Sequence, residues 1–452
     1  MTGVNICAIL LPDLINREKL VIFMKESCDV IIVGTGAAGL FCALNFPERT
    51  DVCVITKKKA DESDSFLAQG GICMLRGEED YRNYFDDTLR AGHYENDEKA
   101  VDLMIRSSNS VIRDLVRYGV RFARTPKEAL DFTREAAHSQ PRILFHEDIT
   151  GKEITGTLLK RVLEKPNITV YEDTTMVDIV AKNNICGGVV LCDKHGKISV
   201  MRAQNVVLAT GGIGGLYKNS TNFPHITGDA LGIALKHGVA LQNPDYVQIH
   251  PTTLFSRKPG RRFLISESVR GEGALLYDKN GNRFTDELQP RDLLSKAINA
   301  QMEKDGTDFV WEDLRPLGES TIKKHFPNIY ARCLEEGIDV LKENIPVVPA
   351  QHYFMGGIKV NLASRTSMQG LYACGETCCN GVHGKNRLAS NSLLESLVFA
   401  QRAADDILFS SPHAPCPVDD VDLSEYADLN FIFANYRMNV LKAIERAEKS
   451  HE

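Results

Sequence analysis

The feature that most narrows the fold is a glycine turn, Gly34-Thr35-Gly36-Ala37-Ala38-Gly39, set directly behind the apolar run Asp29 to Val33. Ala37 to Phe46 reads as a helix packed against that run, and Asp51 to Ile55 as a second, parallel strand. In such a β-turn-α-β unit the glycines allow a tight turn, close approach of backbone to a pyrophosphate, and close helix packing. The helix N-terminus then faces a phosphate. The same rule expects an acidic residue after the second strand to hold ribose hydroxyls, but Thr56 and Lys57 stand there, which departs from a simple NAD site.

A chain of 452 residues exceeds one ordinary domain, so two or more units with a site between them are expected. Apolar positions from Glu98 to Tyr118 recur at helical spacing and mark a core-facing helix. Another helix is expected at Ile154 to Glu164. Thr169 to Leu208 alternates short β-rich runs with turns at Gly187-Gly188 and His195-Gly196, and ends in Ala209-Thr210-Gly211-Gly212, a second backbone approach to a cofactor. From Pro244 to Asn344 the character changes to mixed loops and charged helices, an inserted unit. Strand-turn pattern returns at Gly370 to Glu376, and a helix follows from Ser392 to Leu408. The division read from this is an N-terminal extension over 1–24, a cofactor unit over 25–243 and 351–410, an inserted unit over 244–350, and a short helical segment over 411–452.

A net charge of -7 argues against general nucleic-acid affinity, and Lys57-Lys58-Lys59 reads as a solvated loop or a cationic loop near a phosphate. The 12 cysteines are scattered, with no metal-knuckle or iron-sulfur spacing, and fit reduced thiols in a cytoplasmic protein. No apolar run reaches membrane-spanning length. The first 23 residues carry no basic leader, and Met24 just before the first strand leaves two candidate starts, Met1 and Met24.

Taken in order, Gly34 to Leu40, Ala68-Gln69-Gly70-Gly71-Ile72, Ala209 to Gly212, His250-Pro251-Thr252, Arg270-Gly271-Glu272-Gly273-Ala274, Pro290-Arg291-Asp292, His352-Tyr353 with Gly356-Gly357, and Asn386 to Ser392 resemble the succinate dehydrogenase and fumarate reductase flavoprotein family. The resemblance runs from about Cys28 to about Leu408. It implies an α/β fold, with a discontinuous Rossmann-like FAD-binding domain and an inserted α+β capping domain closing over a dicarboxylate. The family's helical C-terminal domain is largely missing. Cofactor contacts are implied for Gly34, Gly36, Ala37, Ala38, Gly39, Lys57, Ser65, Gln69, Gly70, Gly71, Ala209, Gly211, Asp229, Glu376, Ser392 and Leu393. Substrate contacts are implied for Gln248, His250, Ser266, His352, Arg387 and Ser390, and proton transfer for Arg291. Asp64 stands where the membrane-associated members attach FAD to a histidine, so non-covalent FAD is expected.

Arg134-Glu135-Ala136-Ala137-His138-Ser139 is similar to a stretch of the aspartate-oxidising members, with two alanines in place of glycines. Glu135 would then face a substrate ammonium group that succinate lacks. The implied reaction is FAD-dependent oxidation of L-aspartate to iminoaspartate with dioxygen or fumarate as acceptor, feeding quinolinate synthase and NAD synthesis. A soluble fumarate reductase, or a non-catalytic FAD-binding assembly subunit, are the alternatives. Read without the resemblance, Arg291-Asp292 is a surface ion pair, His250 a strand cap and His352 a core residue. Asn386 and Asn391 are turn and cap residues on that reading, whereas their placement around Arg387 favours ligand contact. His93, His138, His225 and His383 are left structural or undecided.

Overall fold

The computed structural model describes residues 24–450 apart from 136 and 419. The expected extension before Met24, and Ala136 of the alanine pair, lie outside the described residues.

Val30–Val33 and Val52–Ile55 form parallel strands in register, Val30 beside Val52 and Val33 beside Ile55. Each is buried along its whole length, as a parallel strand covered on both faces must be. Asn205–Leu208 and Leu371–Ala373 extend the sheet on one side and Ile168–Tyr171 on the other, giving five strands. Alternate residues feed two cores. Val30, Ile32, Val52 and Val54 pack with the helices Ala37–Leu44, Glu98–Tyr118 and Asn391–Phe409. Ile31, Val33, Cys53 and Ile55 pack with an antiparallel sheet of Thr175–Lys182, Ile185–Cys192 and Ile198–Arg202 and with the helix Asp229–Lys236. The strand Leu371–Ala373 joins the same sheet from far along the chain, so the glycine-turn unit is discontinuous.

A second five-stranded sheet lies between residues 247 and 354, in the order Phe263–Leu264, Val247–Leu254, Ile345–Phe354, Val310–Asp313, Leu275–Tyr277. Its neighbours pair antiparallel, and the helices Arg291–Asp305, Glu319–His325 and Pro327–Glu335 surround a core of Leu276, Leu294, Ile298 and Ile329. Residue 350, where the sequence division falls, lies inside the Ile345–Phe354 strand, whose far end carries His352 towards the first unit. Asp148 joins the units by accepting from the backbone amides of Asn328 and Ile329.

Two local expectations are corrected. Gly187 and Gly188 lie within a strand instead of a turn. The reversal falls at Asn183-Asn184, both with positive φ, which asparagine tolerates. Gly188 is needed because a Cβ there would lie 2.2 Å from the Met201 carbonyl oxygen of the paired strand. The basic-acidic pattern of Tyr436 to Glu452 predicts one terminal helix, but the helix starts earlier, running Leu429–Ser450, and it buries Tyr436, Val440 and Ile444. Among the described residues no helix is long and apolar enough to cross a membrane.

Candidate active site

One cleft runs from the glycine turn to the junction with the second sheet, with about 1750 Å³ of space including its open mouth. At one end Gly34 (φ 119) passes so close to the neighbouring strand that a Cβ would lie 2.0 Å from the Ala209 carbonyl oxygen. A Cβ on Gly39 would lie 2.0 Å from the Gly34 oxygen, so the turn and helix require both glycines. The helix Ala37–Leu44 has Gly36 at its N-cap, which brings no side chain of its own over the first amides. Its positive end is therefore presented to the cleft, as phosphate binding requires.

Of the residues expected at the cofactor, Gly34, Gly36, Ala38, Lys57, Ser65, Gln69, Gly70, Gly71, Ala209, Gly211, Asp229, Glu376, Ser392 and Leu393 line this cleft. Ala37 and Gly39 lie behind the wall. The Ala37 amide donates to Ser65 Oγ at 3.1 Å, and Gly39 serves helix packing. Lys57 is not a freely solvated charge: its Nζ meets Asp229 Oδ2 at 2.6 Å. Gln69 Oε1 is buried without a protein partner, and Glu376 accepts from the Phe354 amide at 2.9 Å. Burial pushes Glu376 up to about 8 and Asp64 up to about 7. A Cβ on Gly212 would lie 2.3 Å from Glu376 Oε1, so a larger residue there would displace that carboxylate. These features fit FAD: a helix N-terminus with glycine at its cap for the pyrophosphate, and a buried amide oxygen without a protein partner on the wall.

At the other end Glu135, His250, Ser266, Arg291, His352, Arg387 and Ser390 line the same cleft. Arg291 opens the helix Arg291–Asp305, and its Nη1 donates to Gln248 Oε1 at 2.8 Å. Gln248 lies behind the wall, and its amide donates to the Arg387 carbonyl and to Asn386, each at 2.9 Å. It thus ties the two arginines together. Arg291 is not the surface ion pair of the local reading, since its Nε hydrogen-bonds Glu267 and only 10% of its side chain is exposed. Arg387 is buried over the Tyr353 ring, 4.7 Å from its centroid, with Nε unpartnered. Burial, then the neighbouring Arg291, lowers its pKa to about 10.

The His250 and His352 rings meet edge-on at 5.2 Å. Burial, then Arg291, holds both well below the usual imidazole range, so they are neutral at pH 7. His352 Nδ1 lies 2.8 Å from the Thr221 hydroxyl, and His250 Nε2 is buried with no protein partner. Ser266 caps the short helix Glu267–Gly271, its hydroxyl accepting from the Ser268 amide, and the residue lines the cleft. Glu135 is buried, accepts from the Ser390 hydroxyl at 2.7 Å, and is raised by burial and by Glu267.

Asn391 is corrected from a ligand contact to a structural residue. It is fully buried, accepting from Tyr84 and donating to Thr88. Asn386 likewise lies outside the cleft wall, donating to the Ala91 carbonyl. Glu267 was missed: it sits one residue after Ser266 and three before Arg270, and it contacts both arginines. Burial pushes it up, but Arg291 and Arg270 hold it below the usual carboxylate range. Its only signal was an acid between two motifs.

Residues 29–393 match the family model of the FAD binding domain. The chain is 50% identical over 385 residues to an L-aspartate oxidase of Clostridium perfringens, covering 85% of this chain and 87% of that one. It is 46% identical to an L-aspartate oxidase of Clostridium acetobutylicum, with 85% and 88% covered. In structure it is similar to E. coli quinol fumarate reductase, with a TM-score of 0.79 at 32% identity, covering 84% of this chain and 70% of that one. With the glycine turn, the cleft and these likenesses in hand, the chain belongs to the L-aspartate oxidase family of FAD-dependent oxidoreductases, within the succinate dehydrogenase and fumarate reductase flavoproteins.

Proposed function

We propose that this protein oxidises L-aspartate to iminoaspartate, using dioxygen or fumarate as the final acceptor. The observation that carries the reading is one pocket holding Arg291, Arg387, two neutral histidines and, against Ser390, the buried acid Glu135. Planar guanidinium groups suit carboxylates, and neutral imidazole and hydroxyl groups donate without a second full charge. Arg387, His250, His352 and Ser266 would hold the two carboxylates, with Gln248 fixing the arginines from behind. Glu135 would face the ammonium group. FAD held there would supply the two-electron acceptor for hydride from the substrate's C2, and Asp64 offers no imidazole for a covalent link.

Arg291 is the group expected to assist proton transfer. A free guanidinium is too weak an acid for ordinary exchange near pH 7. Glu267, bonded to Arg291 Nε and within 4.0 Å of Arg270, gives it a carboxylate partner that also fixes its orientation. The imine hydrolyses readily to oxaloacetate and ammonia, and its expected consumer is quinolinate synthase, on the way to NAD. A fumarate-reducing or succinate-oxidising flavoprotein is the second reading, since every carboxylate-binding group serves either substrate and the fold is similar to quinol fumarate reductase.

The test is an anaerobic spectrum of the purified protein mixed in parallel with L-aspartate and with succinate. Bleaching of the flavin by L-aspartate alone supports the proposal. Bleaching by succinate alone moves the protein to the second reading, and no bleaching by either leaves an FAD-binding subunit without this chemistry. Free FAD after acid precipitation is the expected sign of non-covalent binding.

A further inference from the structure

Behind the substrate pocket lies a buried polar network that the reaction above does not use. Arg142 is completely buried, with Nε and Nη2 donating to the two oxygens of Asp80 at 3.0 and 2.8 Å. Its Nη1 donates to Asp87 at 2.8 Å and lies 2.9 Å from His138 Nδ1. A guanidinium can only donate, so Nδ1 accepts and the ring proton sits on Nε2. Nε2 then donates to the carbonyl oxygen of Ala389 at 3.0 Å. The next residue is Ser390, whose hydroxyl holds Glu135. On the far side of the loop, the amide and hydroxyl of Ser139 both donate to Asp87 at 2.7 Å. Asp80 and Asp87 are seven residues apart on the helix Glu78–Ala91 and so share one face.

Ser390 is anchored at the start of the helix Asn391–Phe409 and by the Cys73 amide on its carbonyl at 3.1 Å, and Thr133 is bridged to Ile143, but the His138–Ala389 bond ties the far end of the Glu135 loop to the residue before Ser390. We infer that His138, held in one tautomer by Arg142, is a positioning residue that sets the Glu135–Ser390 pair and so the preference for a dicarboxylate bearing an ammonium group. The inference rests on the assignment of Glu135 to the substrate's amino group. Its physical content is that an ion-pairing acid discriminates only where its carboxylate is held; a loosened one takes up water and loses the contrast between the two ligands.

Two replacements separate this role from mere packing. His138→Asn keeps an acceptor near Arg142 but is too short to reach Ala389, whereas the longer amide of His138→Gln can donate there. Flavoprotein reduced with dithionite cannot take a further hydride, so L-aspartate and succinate bind to it without turnover and their Kd values are read by anaerobic titration calorimetry. The expected result for His138→Asn is about tenfold weaker L-aspartate binding with succinate changed less than about twofold, and recovery of most of the loss in His138→Gln. Unchanged L-aspartate affinity, or equal weakening for both ligands, overturns the inference. Glu135→Gln run alongside distinguishes the failures. If it weakens L-aspartate while His138→Asn does not, only the positioning role falls; if it has no effect, the amino-group assignment falls and takes the inference with it.

Discussion

Arg291 and Arg387 share one buried pocket, and a charge so placed is kept only when partners or a ligand compensate it. Glu267 compensates Arg291, and the Nε of Arg387, without a protein partner, would take a carboxylate of the substrate in the proposed reaction. Replacing Arg291 by Leu should slow flavin reduction by L-aspartate at least a hundredfold, roughly the worth of a positioned acid-base group, with FAD still bound. Stopped-flow absorbance checks this, and near-wild-type reduction removes Arg291 from proton transfer. Ala137 shows a cost at the same scale. Its φ of 67 is a left-handed conformation that strains alanine and suits glycine. Ala137→Gly should therefore raise the denaturant midpoint, by a stability gain of about 1 kcal/mol; a lowered midpoint would show the strain to be absent in solution.

Between the elements, the His138–Arg142 contact joins the helix Glu78–Ala91 to the two segments of the pocket. Burial, with Arg142 adding to it, lowers His138 to about 4 from an ordinary 6.5. A depressed folded-state pKa means that the stability it brings is fully present above about pH 6.5 and is lost as pH falls towards 4. His138→Gln does not titrate, so its denaturant midpoint should fall less than that of wild type between pH 7.5 and pH 5. The difference approaches about 2 kcal/mol at pH 5. Parallel midpoints at both pH values would mean that the imidazole is not buried as a neutral group.

Over the whole molecule, the proposed reaction needs the second sheet to meet the first, because His250, Ser266, Arg291 and His352 come from one unit and Glu135, Arg387 and Ser390 from the other. Asp148 is one fastening between them, taking the first amides of the Pro327–Glu335 helix as a capping side chain does. Asp148→Ala should cost about 1–2 kcal/mol and speed hydrogen exchange at the Asn328 and Ile329 amides, with exchange in the Val30–Val33 strand unchanged. Exchange unaltered at those two amides would show that the units are fastened elsewhere.

What the sequence determined by itself is local or ordered along the chain: the strand-glycine turn-helix unit, the Glu98–Tyr118 helix, and a run of motifs whose order carries the family and its FAD. Backbone demands such as those at Gly34 and Gly39 are written in single letters, because only one residue type fits them. The tertiary structure alone decided which polar residues face the ligand. Gln248 and Asn391 carry the same donors and acceptors as a binding residue, yet each spends them on protein partners brought from elsewhere in the chain. Glu267 and Arg142 are ordinary charges in sequence, and they matter because folding buries each against opposite charge supplied by other parts of the chain. Burial and partnership are properties of packing between distant segments, and no local pattern of residues can encode them.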